Sequence, residues 1–208
     1  MNMKLLPELS FPPSEYWDWD KVKRHWLPFD PFRATEPRGW QVLAEYYRTK
    51  YLIAEWVKPK SLCEIGVRAG YSTAAFLQCG TVETYMGIDI DENAEGGIKG
   101  YAKYVPAMLD HYPEVKEREL LIKDSQDLVS LPGDPFDLVH IDGDHTFAGA
   151  VHDIEIVIAS GSKWILIDDI DFIPEVAKAA HHVIKEWSVK EAYHIADGLR
   201  GNILIHNA

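Results

Sequence analysis

From about residue 38 onward, apolar positions follow first one period and then another. Within 39–57, Leu43, Tyr46, Tyr47, Ala54 and Val57 fall on one helical face, and Pro59 stops the helix. Short apolar runs at 61–67, 84–90, 120–123, 136–141 and 163–167 are each bounded by turn residues and predict strands. Between them, 71–78 and 100–111 read as helices. Phe147, Val151, Ile154 and Ile158 mark another at spacings of four, three and four. Pro174 opens a helix whose face is Val176, Ala180, Val183 and Trp187, proline being favoured at a first helical position. The segments 191–195 and 202–206 read as closing strands. Such alternation predicts an α/β fold: a doubly wound, mostly parallel seven-stranded sheet with helices on both faces.

Residues 1–37 break the pattern. They hold six prolines among Trp17, Trp19, Trp26, Phe29 and Phe32. Prolines prevent long regular structure, whereas aromatics resist disorder. The expectation is an ordered arm on a domain spanning 38–208. It would serve as core cover, as a lid or substrate wall, or as the contact of a homodimer.

The 208 residues suit one domain with a real core. A net charge of −12 argues against a nucleic-acid partner, and Lys21 to Arg24 read as a solvated face. No apolar run is long enough for a membrane span, and the N-terminus lacks a signal-peptide core. Two cysteines, Cys63 and Cys79, make no disulfide framework. Together these predict a cytoplasmic protein with a small-molecule partner.

The stretch Cys63-Glu-Ile-Gly-Val-Arg-Ala-Gly-Tyr-Ser72 carries the most chemistry. A strand ends beside Glu64, two glycines (Gly66 and Gly70) make a tight turn, and a helix begins. Such a turn lets a ligand approach the backbone closely. The spacing is not that of a dinucleotide fingerprint, and an acid beside the turn would repel a pyrophosphate. It suits a positively charged ligand, such as a sulfonium amino acid.

Ligands of open α/β sheets bind at the carboxyl ends of the strands, and each parallel strand here delivers an acid to that edge. Asp89 ends the second strand, where an acid accepts hydrogen bonds from ribose hydroxyls. Asp124 and Ser125 lie where an adenine edge would fall. Glu64 and Ser72 face the amino-acid end. Asp142, Asp168 and Asp169 converge at two strand tips, and three carboxylates there would repel unless a cation lay between them. Oxygen-only ligands point to a hard divalent ion, magnesium first. The bland alternative is a helix cap at Asp144 beside solvated loop acids. His145 is a candidate base, and His140 reads as a satisfied core residue.

On these motifs, residues 43–207 resemble the class I S-adenosylmethionine-dependent methyltransferases, and within them the metal-dependent O-methyltransferases, catechol-type and antibiotic- or sugar-tailoring. The resemblance implies a Rossmann-like fold. It implies S-adenosylmethionine held by Glu64, Gly66, Gly70, Ser72, Asp89, Asp124 and Ser125, and a magnesium-type ion held by Asp142, Asp168 and Asp169. Asp142 and His145 are the implied catalytic pair, His145 standing where catechol-type enzymes keep a lysine. The expected reaction is metal-assisted O-methylation of a small-molecule hydroxyl. The alternatives are metal-independent N- or O-methylation and a non-catalytic nucleotide-binding module. Acceptor specificity is expected from the arm, from 92–97 and from 171–174.

Overall fold

The computed structural model describes residues 6–11, 14–31, 37–94 and 97–207. Pro12, Pro13 and Phe32 of the arm, and residues 95–96 of the expected specificity loop, lie outside them. The described chain runs α1 (Trp19–Lys23), α2 (Pro37–Val57), β1 (Ser61–Ile65), α3 (Tyr71–Phe76), β2 (Thr84–Asp89), α4 (Val105–Leu109), β3 (Glu117–Ile122), β4 (Leu138–Ile141), α5 (Phe147–Ala159), β5 (Trp164–Ile167), α6 (Pro174–Glu186), β6 (Glu191–Ile195) and β7 (Asn202–His206). The strands form one sheet in the order β3-β2-β1-β4-β5-β7-β6. The pairs from β3 through β5 are parallel. Only β7 runs against its neighbours β5 and β6. This is the expected doubly wound α/β sheet. The chain moves outward from β1 in both directions, which opens a crevice above the β1 and β4 tips.

The central strands are apolar on both sides because helices cover both faces. Leu62 of β1 joins the core under α2 and α3, whereas Cys63 joins the one under α5 and α6. Local signals fix the helix ends. Thr146 caps α5 by accepting from the Gly149 amide at 3.1 Å, and Pro174 opens α6. The expected helix at 100–111 is shorter than its pattern, reduced to a 3-10 turn and the five residues of α4. Pro106 sits in the first turn of α4, which begins at Val105, so the α-helix does not reach back toward residue 100.

The described part of the arm lies along the domain. Leu9 and His194 pair backbone to backbone, which covers the edge of β6. Val22 and Trp26 are buried against α2 and α3. Asp30 accepts from Arg68 at 2.7 Å and from the Tyr71 hydroxyl at 2.9 Å. The arm is thereby latched to the glycine turn after β1. Among the described residues, no helix is long and apolar enough to cross a membrane.

Candidate active site

One cavity of about 350 Å³ lies over the β1 and β4 tips. Its floor is the turn after β1. Gly66 adopts φ +85°, and a Cβ there would stand 1.9 Å from the Asp142 carbonyl oxygen. Only glycine lets the β1 turn and the β4 tip approach this closely. Gly70, at φ +82°, turns the chain into α3.

Asp89 holds this turn from β2. One of its oxygens accepts the Val67 and Arg68 amides at 2.8 and 2.7 Å, and the other accepts the Asp91 amide at 2.6 Å. Arg68 sits at φ +52°, a left-handed conformation costly for an arginine and fixed here by that carboxylate. Asp124 accepts the Gln126 amide at 2.9 Å, shaping the turn after β3. Gly66, Ser72, Asp89, Asp124 and Ser125 all line the cavity.

Glu64 does not line it. The residue is fully buried below the turn. It accepts from Ser72 at 2.7 Å, from Tyr85 at 3.2 Å and from the Thr73 hydroxyl, and one oxygen lies 3.1 Å from Nδ1 of His140. The Glu64 side chain, expected at the methionine part, is turned to these internal partners and away from the cavity. Glu64 anchors the start of α3 from beneath, and Ser72 alone of the pair faces the cavity.

On the β4 side of the cavity are Asp142 and His145, with Nε2 of His145 3.3 Å from the Asp142 carboxylate and 3.7 Å from that of Asp169. Trp26, Leu43, Tyr46 and Tyr47 form an apolar wall there, joined by Leu199 and Arg200. Trp26 stacks on Tyr71 with ring centres 4.1 Å apart and planes at 6°. Trp19 and Trp17 back the wall from behind rather than lining it.

The expected metal ligands come together, but two of them already have protein partners. Donor atoms of Asp142, His145 and Asp169, and of His140, Asp142 and Asp168, do come within 4.8 Å of one another. Asp168 and Asp169 are nevertheless only 1 % exposed and do not line the cavity. One Asp168 oxygen accepts the Asp169 amide at 2.9 Å. The other is shared by Lys50 at 2.8 Å, His140 at 3.3 Å and the Tyr46 hydroxyl. Both Asp169 oxygens are taken by Arg200, at 3.0 and 2.9 Å. Asp169 adopts a left-handed backbone, φ +61°. Two of the three acids are thus already neutralised by protein cations, and this arrangement does not fit a divalent ion. Asp144 is not the cap of α5 but supports it, accepting the Thr146 amide at 2.7 Å.

The electrostatics follow from these contacts. Burial alone would raise the Asp168 pKa, but Lys50 and His140 hold it well below the usual carboxylate range. Burial, then Asp142 and Asp168, push Asp169 up to about 7. Burial would lower the His140 pKa, yet its hydrogen bonds to Asp168 and Glu64 raise it to about 9. A histidine held above its unfolded value of 6.5 stabilises the fold fully below that pH, and the contribution is lost as pH rises through about 9. It amounts to something on the order of 3 kcal/mol. Urea unfolding at neutral pH and again above pH 9 should show this loss, and His140→Gln should flatten the slope. Equal slopes in the two proteins would rule out the imidazolium.

Sequence reasoning missed Lys50, Arg200 and Tyr46. Lys50 had a signal: it lies three and four residues beyond Tyr47 and Tyr46, on the apolar face of α2, where a lysine needs a partner. Arg200 sits in a loop with no pattern of its own.

Comparison with known proteins agrees with this architecture. The family model described as methyltransferase domain matches residues 63–170, just over half of the chain. No curated protein matches in sequence. Among solved structures, an O-methyltransferase from Bacillus cereus in complex with S-adenosylhomocysteine superposes with TM-score 0.62 at 14 % identity, covering 94 % of this chain and 92 % of that one. The S-adenosylhomocysteine-bound methyltransferase PaMTH1 of Podospora anserina gives 0.61 at 14 % identity, with coverages of 90 % and 87 %. TomG of Streptomyces achromogenes, an O-methyltransferase of tomaymycin synthesis solved with S-adenosylmethionine, gives 0.55 at 12 % identity, with coverages of 96 % and 93 %. At such identities the likeness is one of fold. With the family match across the motif-bearing strands, the chain belongs to the methyltransferase domain family and is a class I S-adenosylmethionine-dependent methyltransferase.

Proposed function

We propose that this enzyme methylates the hydroxyl of a small molecule. The observation that carries the reading is the cavity over the β1 and β4 tips. Its lining joins Asp89, Asp124 and Ser125, which follow β2 and β3 on one side of β1, to Asp142 and His145, which follow β4 on the other, and to the aromatic Trp26, Tyr46 and Tyr47. S-adenosylmethionine would lie along the β1 turn, its ribose toward Asp89 and its adenine toward Asp124 and Ser125. The acceptor would rest against Trp26, Tyr46 and Tyr47. The solved neighbours described as O-methyltransferases support transfer to oxygen. The two cysteines are free and Cys63 is buried, which fits the reducing cytoplasm.

The chemistry asks little of the protein beyond alignment. The sulfonium methyl is already electrophilic, so an acceptor oxygen held in line displaces S-adenosylhomocysteine. The oxygen–carbon bond forms as the sulfur–carbon bond breaks, and the hydroxyl proton must leave. The His145 imidazole takes it, and the Asp142 carboxylate at Nε2 stabilises the imidazolium that results.

A second reading, divalent-metal-assisted transfer, is favoured by one observation, the spacing of the donor atoms around Asp142. It would require Lys50 or Arg200 to leave its carboxylate, so we prefer the metal-free form.

The test has two arms. Calorimetry with S-adenosylhomocysteine should show binding to the wild type and to His145→Ala alike. A screen of small phenols and alcohols for S-adenosylhomocysteine release should find acceptors whose turnover falls by about 10²–10⁴ in His145→Ala. No binding by the wild type would end the cofactor reading, and unchanged turnover in the variant would end the role of His145.

A further inference from the structure

The least expected group in the molecule is Lys50. Its side chain is fully buried, and lysine is almost never buried without partners. Nζ lies 2.8 Å from an Asp168 oxygen, 2.6 Å from Oδ1 of Asn202 and 4.2 Å from the centre of the Tyr46 ring. The partners come from three places in the chain: Asp168 directly after β5, Asn202 in β7 and Tyr46 in α2 itself. One ammonium therefore ties three elements together at the point where three carboxylates converge.

The contacts continue outward. Asn202 donates to Asp197 at 2.8 Å. Asp197 in turn accepts the amides of Leu199, Arg200 and Gly201, at 2.8, 2.7 and 3.0 Å. That turn carries Leu199 and Arg200 into the cavity, and Arg200 returns to clamp Asp169. In the other direction, Asp168 meets His140, and His140 meets Glu64 under the cofactor turn.

We propose that Lys50 is the resident cation of this acid cluster. It stands in for a divalent ion, so the enzyme needs no metal, and it positions the 197–201 turn against the acceptor. The proposal rests on the methyl-transfer reading for the identity of the site. Charge supports it. Asp142, Asp168 and Asp169 bring at most three negative charges, and Lys50 and Arg200 already answer two of them, with the His140 imidazolium shared between Asp168 and Glu64. A divalent ion entering beside them would meet two fixed cations in a poorly solvated site, where repulsion over a few ångströms is strong. Geometry supports it too, since neither Asp168 nor Asp169 opens onto the cavity from which an ion would enter. Lys50 acts through Asp168 and Asn202 and touches no reacting atom, so it is a positioning residue.

Manganese uptake decides the matter without an acceptor. Wild-type protein added to dilute manganese chloride should leave the free-ion electron paramagnetic resonance signal unchanged. Its melting temperature should be the same in excess EDTA and in millimolar magnesium chloride. Lys50→Met keeps the length of the side chain and removes the charge. It should melt at lower temperature and bind manganese about tenfold or more tightly than wild type, with manganese restoring part of the lost melting temperature. A lysine that merely fills space would yield no such new signal.

Stoichiometric uptake by wild type overturns the proposal, as does a folded Lys50→Met that gains no affinity. If the variant does not fold alone, refolding with and without manganese gives the answer: recovery only with the ion supports the proposal, and no recovery in either overturns it. The cofactor reading is judged separately, by S-adenosylhomocysteine binding to wild type, so either idea can fail without the other.

Discussion

Asp168→Ala is expected to lower the stability of this protein by about 3–5 kcal/mol, the usual cost of removing one partner from a buried ion pair. The reason is what the carboxylate leaves behind. Lys50 and His140 both point at it from fully buried positions, and neither has a solvent-facing alternative. A metal ligand at the mouth of a cavity would give the opposite result, with lost turnover and near-normal stability. Urea unfolding distinguishes the two. Asp168→Asn should fall between, since it keeps acceptor atoms but loses charge. In a double-mutant cycle, Asp168→Asn with Lys50→Met should cost less than the two single changes added, because the pair is removed together. A loss below about 1 kcal/mol for Asp168→Ala would mean that the pair is no more than a surface-type contact.

Gly66→Ala should be nearly as damaging, for a steric reason. The new Cβ would meet the Asp142 carbonyl oxygen at 1.9 Å and its carbon at 2.4 Å. Both are backbone atoms at a strand tip and have no rotamer to change. A left-handed backbone cost and an overpacking cost combine to about 2–6 kcal/mol. The turn must also move away from β4, which separates the cofactor end of the cavity from Asp142. Loss of S-adenosylhomocysteine binding should therefore accompany the fall in melting temperature. Gly80→Ala is the control. Gly80 also has positive φ, +67°, but a Cβ there would meet nothing within 4 Å. It should lose only the backbone part and keep the ligand. If both variants bind equally well, the close approach at Gly66 has no bearing on the site.

The candidate site was legible only as far as positions along strands could show it. Acids at successive strand ends must gather on one edge of a parallel sheet, so Asp89, Asp124, Asp142, Asp168 and Asp169 were expected there; the structure puts the first three in the cavity lining and buries the last two. Their charge state was not legible, because the neutralising groups come from elsewhere. Lys50 arrives from a helix that precedes the sheet, and Arg200 from a turn that follows nearly all of it. Glu64 shows the same limit. Its position beside the glycine turn was visible, but the side chain points down to Thr73, Tyr85 and His140 rather than up to the cavity. Neighbouring residues on a strand face opposite sides, and which residue meets the ligand is set by where the chain leaves the strand.

By itself, then, the sequence determined the alternation of strands and helices, the glycine turn and the acidic rim. These follow from local periodicity, from backbone freedom at two glycines and from the direction of parallel strands. Only the tertiary structure decided which acids face the cavity, which are paired with buried cations, and that the aromatic arm latches onto the turn through Asp30 and Arg68. Those outcomes depend on contacts between residues far apart in the chain, such as Lys50 and Asn202, which no local pattern encodes.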